Sequence, residues 1–170
     1  MTLYFAYGSN MSRALMRPRC PSAREIGVAV LEGHRFMVTA DGYASIVRAP
    51  GERVHGLLWR LAPRDLAALN AYEALGSGLY RTVTLPVRIG ARRAAALVYV
   101  SRARAPGAAK PGYLELVLAA ARELDLPVDY RERLARLLPS ACRAARAPDT
   151  GEVAGGLASR VASRVASRLT

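Results

Sequence analysis

Two short segments hold the residues best suited to chemistry. Tyr7-Gly8-Ser9-Asn10 follows an apolar run at the N-terminus. A glycine directly after a strand allows positive φ, and the backbone N–H groups that follow can then converge on an anion. The same four residues also suit an ordinary strand-to-helix turn, with Ser9 or Asn10 as the N-cap. Two better-known anion and nucleophile loops are excluded. The Gly-Lys-Ser/Thr ending of a phosphate loop is absent, and no glycines flank Ser9 at two residues on either side.

The second segment is Leu69-Asn70-Ala71-Tyr72-Glu73, followed by Gly76-Ser77-Gly78-Leu79-Tyr80. Its apolar spacing puts Glu73 at the C-terminal end of a helix, where the dipole disfavours negative charge. Aromatic neighbours at Tyr72 and Tyr80 can add desolvation. Both effects raise a carboxyl pKa toward the range useful to a general base near neutrality. The plain alternative is a solvated surface glutamate.

The elements that must position these segments follow from period and punctuation. Thr2 to Tyr7 reads as a buried strand, and Met11 to Met16 begins a helix closed by Pro18 and Pro21. Ile26–Leu31 and Arg35–Thr39 read as two strands of a hairpin turning at Glu32-Gly33-His34. Ala44–Arg48 and Val54–Leu61 read as two more, around a Pro50-Gly51 turn. Pro63 opens the helix that leads to Glu73. A hairpin from Tyr80 to Ser101 turns at Gly90. Helical spacing returns from Tyr113 to Leu124 and again from Tyr130 to Leu138. Strands early and helices late predict an α+β domain on a small barrel-like sheet rather than a βαβ repeat.

Composition narrows the function classes. The 170 residues suit one compact domain, and no stretch approaches the roughly 20 apolar residues of a membrane-spanning helix. The N-terminus lacks the charged start and long apolar run of a signal peptide, so a cytoplasmic location is expected, with no membrane association. Cys20 and Cys142 have no metal-ligand companions and read as free thiols. The formal charge of +12 raises nucleic acid as a partner. Its make-up argues against one: only Lys110 is a lysine, and the arginines are scattered without an aromatic-interleaved stripe. His34 and His55 have no Ser, Cys or Asp companion at a triad spacing. Trp59 reads as core, and Glu115, Glu123, Asp129 and Glu132 read as solvated helix carboxylates with arginine partners. Nothing in the sequence signals an oligomeric state.

Taken together and in order, the motifs resemble the gamma-glutamylcyclotransferase (AIG2-like) superfamily. Tyr7-Gly8-Ser9-Asn10 after the first strand is similar to its signature. Gly42-x-Ala44-x-Ile46 and Val54-x-Gly56-x-x-Trp59 continue the match. Leu69-x-x-x-Glu73-x-x-x-Ser77-Gly78-x-Tyr80 follows, then Tyr99 and Pro111-x-Tyr113. No one motif is specific; the ordered set is. The resemblance covers residues 2–139 and implies a mixed five- to six-stranded β-barrel flanked by helices, with the site in one open mouth. It also implies a cofactor-independent lyase or transferase reaction of glutathione metabolism, in which a small gamma-glutamyl substrate cyclises to 5-oxoproline. Glu73 would be the catalytic acid/base. The backbone of Gly8, Ser9 and Asn10 would hold the substrate carboxylate, and Tyr7, Tyr80, Tyr99 and Tyr113 would line the pocket. For each tyrosine, core packing with a satisfied hydroxyl is the alternative role. Rival functions are a relative acting on gamma-glutamyl-amines or another metabolite, and a binding module that kept the fold without the activity.

Residues 140–170 stand apart. Alanine, arginine and glycine dominate, and residues 159–168 repeat the phrase Ser-Arg-Val-Ala. Such a segment is expected to be a mobile tail on a 1–139 domain. Removing everything after Pro139 should therefore move the melting temperature by only a few degrees. A collapse of stability on truncation would show the tail packed on the domain or on a partner.

Overall fold

The computed structural model describes residues 1–72 and 79–138. Five strands form a closed barrel in the order β1-β3-β2-β4-β5. They are β1 (Thr2–Ala6), β2 (Arg24–Val38), β3 (Ala44–Leu61), β4 (Tyr80–Ile89) and β5 (Arg92–Ser101). Every pairing is antiparallel except the last, where β1 closes on β5 in parallel through Tyr4 and Leu97. The α+β barrel expected from sequence is thus present, mixed and five-stranded. Four helices flank it: α1 (Arg13–Arg19), α2 (Pro63–Tyr72), α3 (Tyr113–Glu123) and α4 (Val128–Ala135).

Two expectations fail in an instructive way. The Glu32-Gly33-His34 turn is no hairpin; β2 runs straight through it as one 15-residue strand. Gly33 has φ of 70° and marks a register shift, Glu32 pairing with Arg53 and His34 with Arg48. The Pro50-Gly51 turn is likewise absorbed into the 18-residue β3 as the extra length opposite that bulge. Turn-forming residues inside a strand can bend it without ending it, because a bulge needs the same positive-φ glycine as a tight turn. The bent pair β2–β3 supplies most of the barrel wall. Pro18 also lies inside α1 rather than ending it. In so short a helix the proline ring forfeits one bond of the last turn and little else.

Helix faces follow their apolar spacing. Leu114, Val117, Leu118 and Ala121 of α3 are buried in the core shared with the barrel. Arg13 at the start of α1 pairs with Glu25 of β2 at 2.6 Å and with Glu123 of α3 at 2.7 Å, joining three elements at the surface. Its guanidinium holds the Glu25 carboxyl below the usual range. Asp129 meets Arg133 at the i,i+4 spacing, 2.9 Å. Trp59 is core, as expected.

The seam between β1 and β3 depends on one glycine. A Cβ at Gly56 of β3 would lie 2.2 Å from the Ala6 carbonyl oxygen and 2.9 Å from the Phe5 ring. Only a residue with no side chain lets β1 seat this closely, and β1 is the strand that delivers Tyr7 and Gly8. Gly56→Ala is therefore expected to cost about 1–3 kcal/mol of stability, as overpacking does elsewhere. Urea unfolding of the two proteins measures it; equal midpoints would show that β1 can shift freely.

Candidate active site

The chain leaves β1 at Ala6 and enters a 3-10 turn, Ser9–Met11, closed by the Met11 N–H on the Gly8 carbonyl at 3.0 Å. The N–H groups that open such a turn have no acceptor within it. Gly8 stands at its N-cap with φ of −109° and ψ of −143°. The positive φ expected there is absent, so the reason for glycine is different. A Cβ on Gly8 would come within 2.8 Å of the Tyr113 hydroxyl and 3.3 Å of the Ala44 methyl group. Glycine is required by space, not by backbone handedness.

Tyr113 is brought to that spot by a loop with its own fixings. The segment after β5 lies along the β2–β3 connection, with Ala40 N–H on the Ala105 carbonyl, Gly107 N–H on Val38 and Lys110 N–H on Gly42. Gly112 then turns the chain at φ of 79°, and α3 begins with Tyr113. The Tyr113 hydroxyl accepts from the Ala44 N–H at 3.3 Å, while the Tyr80 hydroxyl donates to the Ala44 carbonyl at 3.2 Å. Three of the singled-out residues, Gly8, Tyr80 and Tyr113, thus meet around Ala44. The Tyr7 hydroxyl donates to the Tyr99 carbonyl at 2.5 Å, its ring lying beside Phe5 and Phe36 in the core.

A second cluster forms around Asn10, which is buried. Its side-chain amide donates to the Tyr4 hydroxyl at 3.0 Å, and its side-chain oxygen accepts from Arg19 at 2.6 Å. Its backbone carbonyl accepts from the Trp59 indole N–H at 3.1 Å. Tyr4 meets Tyr99 edge to face at 5.5 Å, and the Tyr99 hydroxyl donates to the Asn70 side-chain oxygen of α2 at 2.5 Å. The Arg19 guanidinium lies 3.7 Å over the ring of Tyr72, the last residue of α2. Tyr99 belongs to both clusters, its carbonyl facing Tyr7 and its hydroxyl facing α2.

Helix α2 is fixed at its other end too. Pro63 occupies the first helical position, and the Asp65 carboxylate accepts from the Ala62 N–H at 3.3 Å, one half of a capping box. The same carboxylate accepts from the Ser22 N–H at 3.3 Å. The Cys20 thiol donates to the Asp65 carbonyl at 3.5 Å, and burial, with the nearby Asp65 charge, pushes its pKa up to about 11. A thiol so held is no nucleophile at neutral pH. Burial lowers the His55 pKa, and its ring packs on Tyr130 at 4.9 Å. Among the described residues, no three His, Cys, Asp or Glu side chains gather at metal-ligand distance.

Glu73, with Gly76, Ser77 and Gly78, lies outside the described residues, as does Cys142. Glu73 follows Tyr72 directly in the chain, and α2 with its Asn70 and Tyr72 contacts is the element from which it departs. The other expected site residues are described. Ser9 and Asn10 lie in the turn and Gly8 caps it; Tyr113 reaches Gly8, Tyr80 bonds Ala44, and Tyr7 and Tyr99 are buried in the core. No site role was read from sequence for Tyr4, Arg19 or Asn70. Asn70 carried a usable signal, three residues before Glu73 in the chain. Arg19 carried none among so many arginines.

The family model for gamma-glutamyl cyclotransferase, AIG2-like, matches residues 4–115, a span that begins in β1 and ends in α3. The chain belongs to this family. Similar curated relatives are the human and mouse gamma-glutamylcyclotransferases, each 28% identical over 151 residues, covering 81% of this chain and 79% of theirs. A solved gamma-glutamyl cyclotransferase superposes with a TM-score of 0.78 at 25% identity, covering 95% of this chain and 98% of that one. The family span contains the 3-10 turn, α2 and all four tyrosines named above.

Crowding at Gly8 yields a paired prediction. Gly8→Ala should lower the melting temperature by several degrees, because its methyl group meets the Tyr113 hydroxyl. Adding Tyr113→Phe removes that oxygen and leaves the nearest ring carbon at 4.0 Å, so the double variant should recover much of the loss. Strictly additive losses would show that Tyr113 is not what excludes a side chain.

Proposed function

We propose that the protein is a gamma-glutamyl cyclotransferase that releases 5-oxoproline from a gamma-glutamyl amino acid or peptide, with Glu73 as general acid/base. The observation that carries this reading is the family match across residues 4–115, which joins the Tyr7–Asn10 turn, α2 and Tyr113 in one chain order. The substrate's α-amine attacks its own side-chain carbonyl. A carbon–nitrogen bond forms to close the five-membered ring, and the bond from that carbon to the leaving nitrogen breaks. Glu73 takes a proton from the attacking nitrogen and returns it to the leaving one, so the enzyme ends as it began.

The turn supplies the other half of the reaction. N–H groups of Gly8, Ser9 and Asn10 hold the substrate's α-carboxylate, which fixes the neighbouring α-amine in line with the carbonyl. Holding reacting groups in such a pose can replace much of the entropic barrier to ring closure. Tyr7, Tyr80, Tyr99 and Tyr113 form the walls. Lys110 donates to the Tyr43 hydroxyl at 3.1 Å, and Tyr43 meets Tyr113 edge to face at 5.2 Å. A cation on Tyr43, the ring neighbour of Tyr113, suits a leaving group that bears its own carboxylate, which favours gamma-glutamyl amino acids over gamma-glutamyl-amines. The reaction uses no metal or cofactor. Its setting is the cytoplasm, where a free thiol such as Cys20 stays reduced.

Glu73→Gln keeps the size of the side chain and removes its ability to accept a proton. Turnover of a gamma-glutamyl substrate should fall by roughly 100-fold or more, the usual contribution of a general base. Binding should survive, because the turn and not Glu73 holds the carboxylate. The limb of the wild-type pH profile that rises with the ionisation of Glu73 should vanish in the variant. A well-folded Glu73→Gln protein with near-normal turnover would overturn the mechanism.

A further inference from the structure

Helix α2 ends without a cation of its own; its last turn contains no basic residue. Arg19 of α1 reaches the last described residue of α2, Tyr72. Its guanidinium lies over the Tyr72 ring at 3.7 Å, and one of its nitrogens donates to the Asn10 side chain at 2.6 Å. One planar group thus touches the turn Ser9–Met11 and the residue directly before Glu73. The side chain is half-buried, so both contacts are partly shielded from water.

Neither partner needs Arg19 merely to fold. Asn10 is also held by the Tyr4 hydroxyl and the Trp59 indole. The start of α2 is fixed by Pro63 and Asp65, and its penultimate turn by the Tyr99–Asn70 bond. What Arg19 adds is the direct tie between the turn and the end of α2. We infer that Arg19 is a positioning residue, setting the spacing between the carboxylate-holding turn and Tyr72, the residue before Glu73 in the chain. The inference rests on the cyclotransferase reading above. Ring closure makes that distance matter, because the turn fixes one end of the substrate while Glu73 must reach the nitrogen beside it. A misplacement of about 1 Å at such a centre can cost about 100-fold in rate.

Three variants test it. Arg19→Met removes the charge, the donors and the planar face. It should lower kcat by about 10- to 100-fold and raise KM, with the melting temperature changed by a few degrees at most. Arg19→Lys keeps the charge and a donor for Asn10 but offers no plane to Tyr72, so KM should return toward wild type while kcat stays low. Tyr72→Leu removes the ring with its hydroxyl and should lower kcat with little change in KM. Combined with Arg19→Met, it should lower kcat little further, since the Arg19–Tyr72 contact is already broken. Full rescue of kcat by lysine would overturn the inference in favour of simple charge. Additive losses in the double variant, or normal kcat in a folded Arg19→Met protein, would also overturn it. Unfolding of both Arg19→Met and Tyr72→Leu would make the stack a fold contact and end the positioning role. A wild-type protein that releases no 5-oxoproline from any gamma-glutamyl compound would instead remove the cyclotransferase reading itself, and this inference with it.

Discussion

A buried amide must have its hydrogen bonds met inside the protein, and Asn10 is where that requirement organises the molecule. Its side chain and carbonyl engage Tyr4 of β1, Arg19 at the end of α1 and Trp59 of β3. Each partner belongs to a different element, so satisfying one residue fixes three elements relative to the turn. With its bonds shared among three elements, the turn is held from several sides at once.

The second constraint is steric and acts on the same few residues. Gly56 admits β1 against β3, and Gly8 admits the Tyr113 hydroxyl against the turn. Both glycines are needed for closeness, and neither for φ. Together they bring the backbone of β1, β3 and the turn into close contact with its neighbours. A side chain at Gly8 would put carbon 2.8 Å from the tyrosine oxygen. Polar pairing and close approach thus work in concert: the first sets where the turn is, the second what may lie upon it.

Much of this was legible in the sequence, for identifiable reasons. The helix α2 announced itself through Pro63 and the spacing of Leu66 and Leu69. The β4–β5 hairpin did so through one glycine between two apolar runs. The family's motifs, read in order, gave the barrel. The failures share a cause. Gly33 and Pro50-Gly51 looked like turns because bulges and turns use the same residues, and only pairing across the sheet tells them apart. Gly8 looked like a positive-φ glycine because nothing local to it reveals Tyr113, which is distant in the chain. Arg19 was invisible for a further reason. In so arginine-rich a sequence, composition hides the guanidinium that bridges Asn10 and Tyr72.

That last point bears on what the charge is for. Surface pairs such as Arg88 and Arg93 with Glu32, or Arg35 with Glu52, are exposed and contribute little each. Arg19 differs in kind, because its partners are a buried amide and an aromatic face rather than a solvated carboxylate. A guanidinium is weakly hydrated for a cation and planar, so it can sit half-buried against a ring while one edge remains a donor. Lysine, with a compact and strongly hydrated charge, can satisfy one of those demands but not both. The net charge of +12 therefore says little about this protein's partners. One arginine, selected by geometry from many, joins the turn that would hold the substrate to the helix end that leads into the proposed base. What sets Arg19 apart is where its charge is held, not how many charges the chain carries.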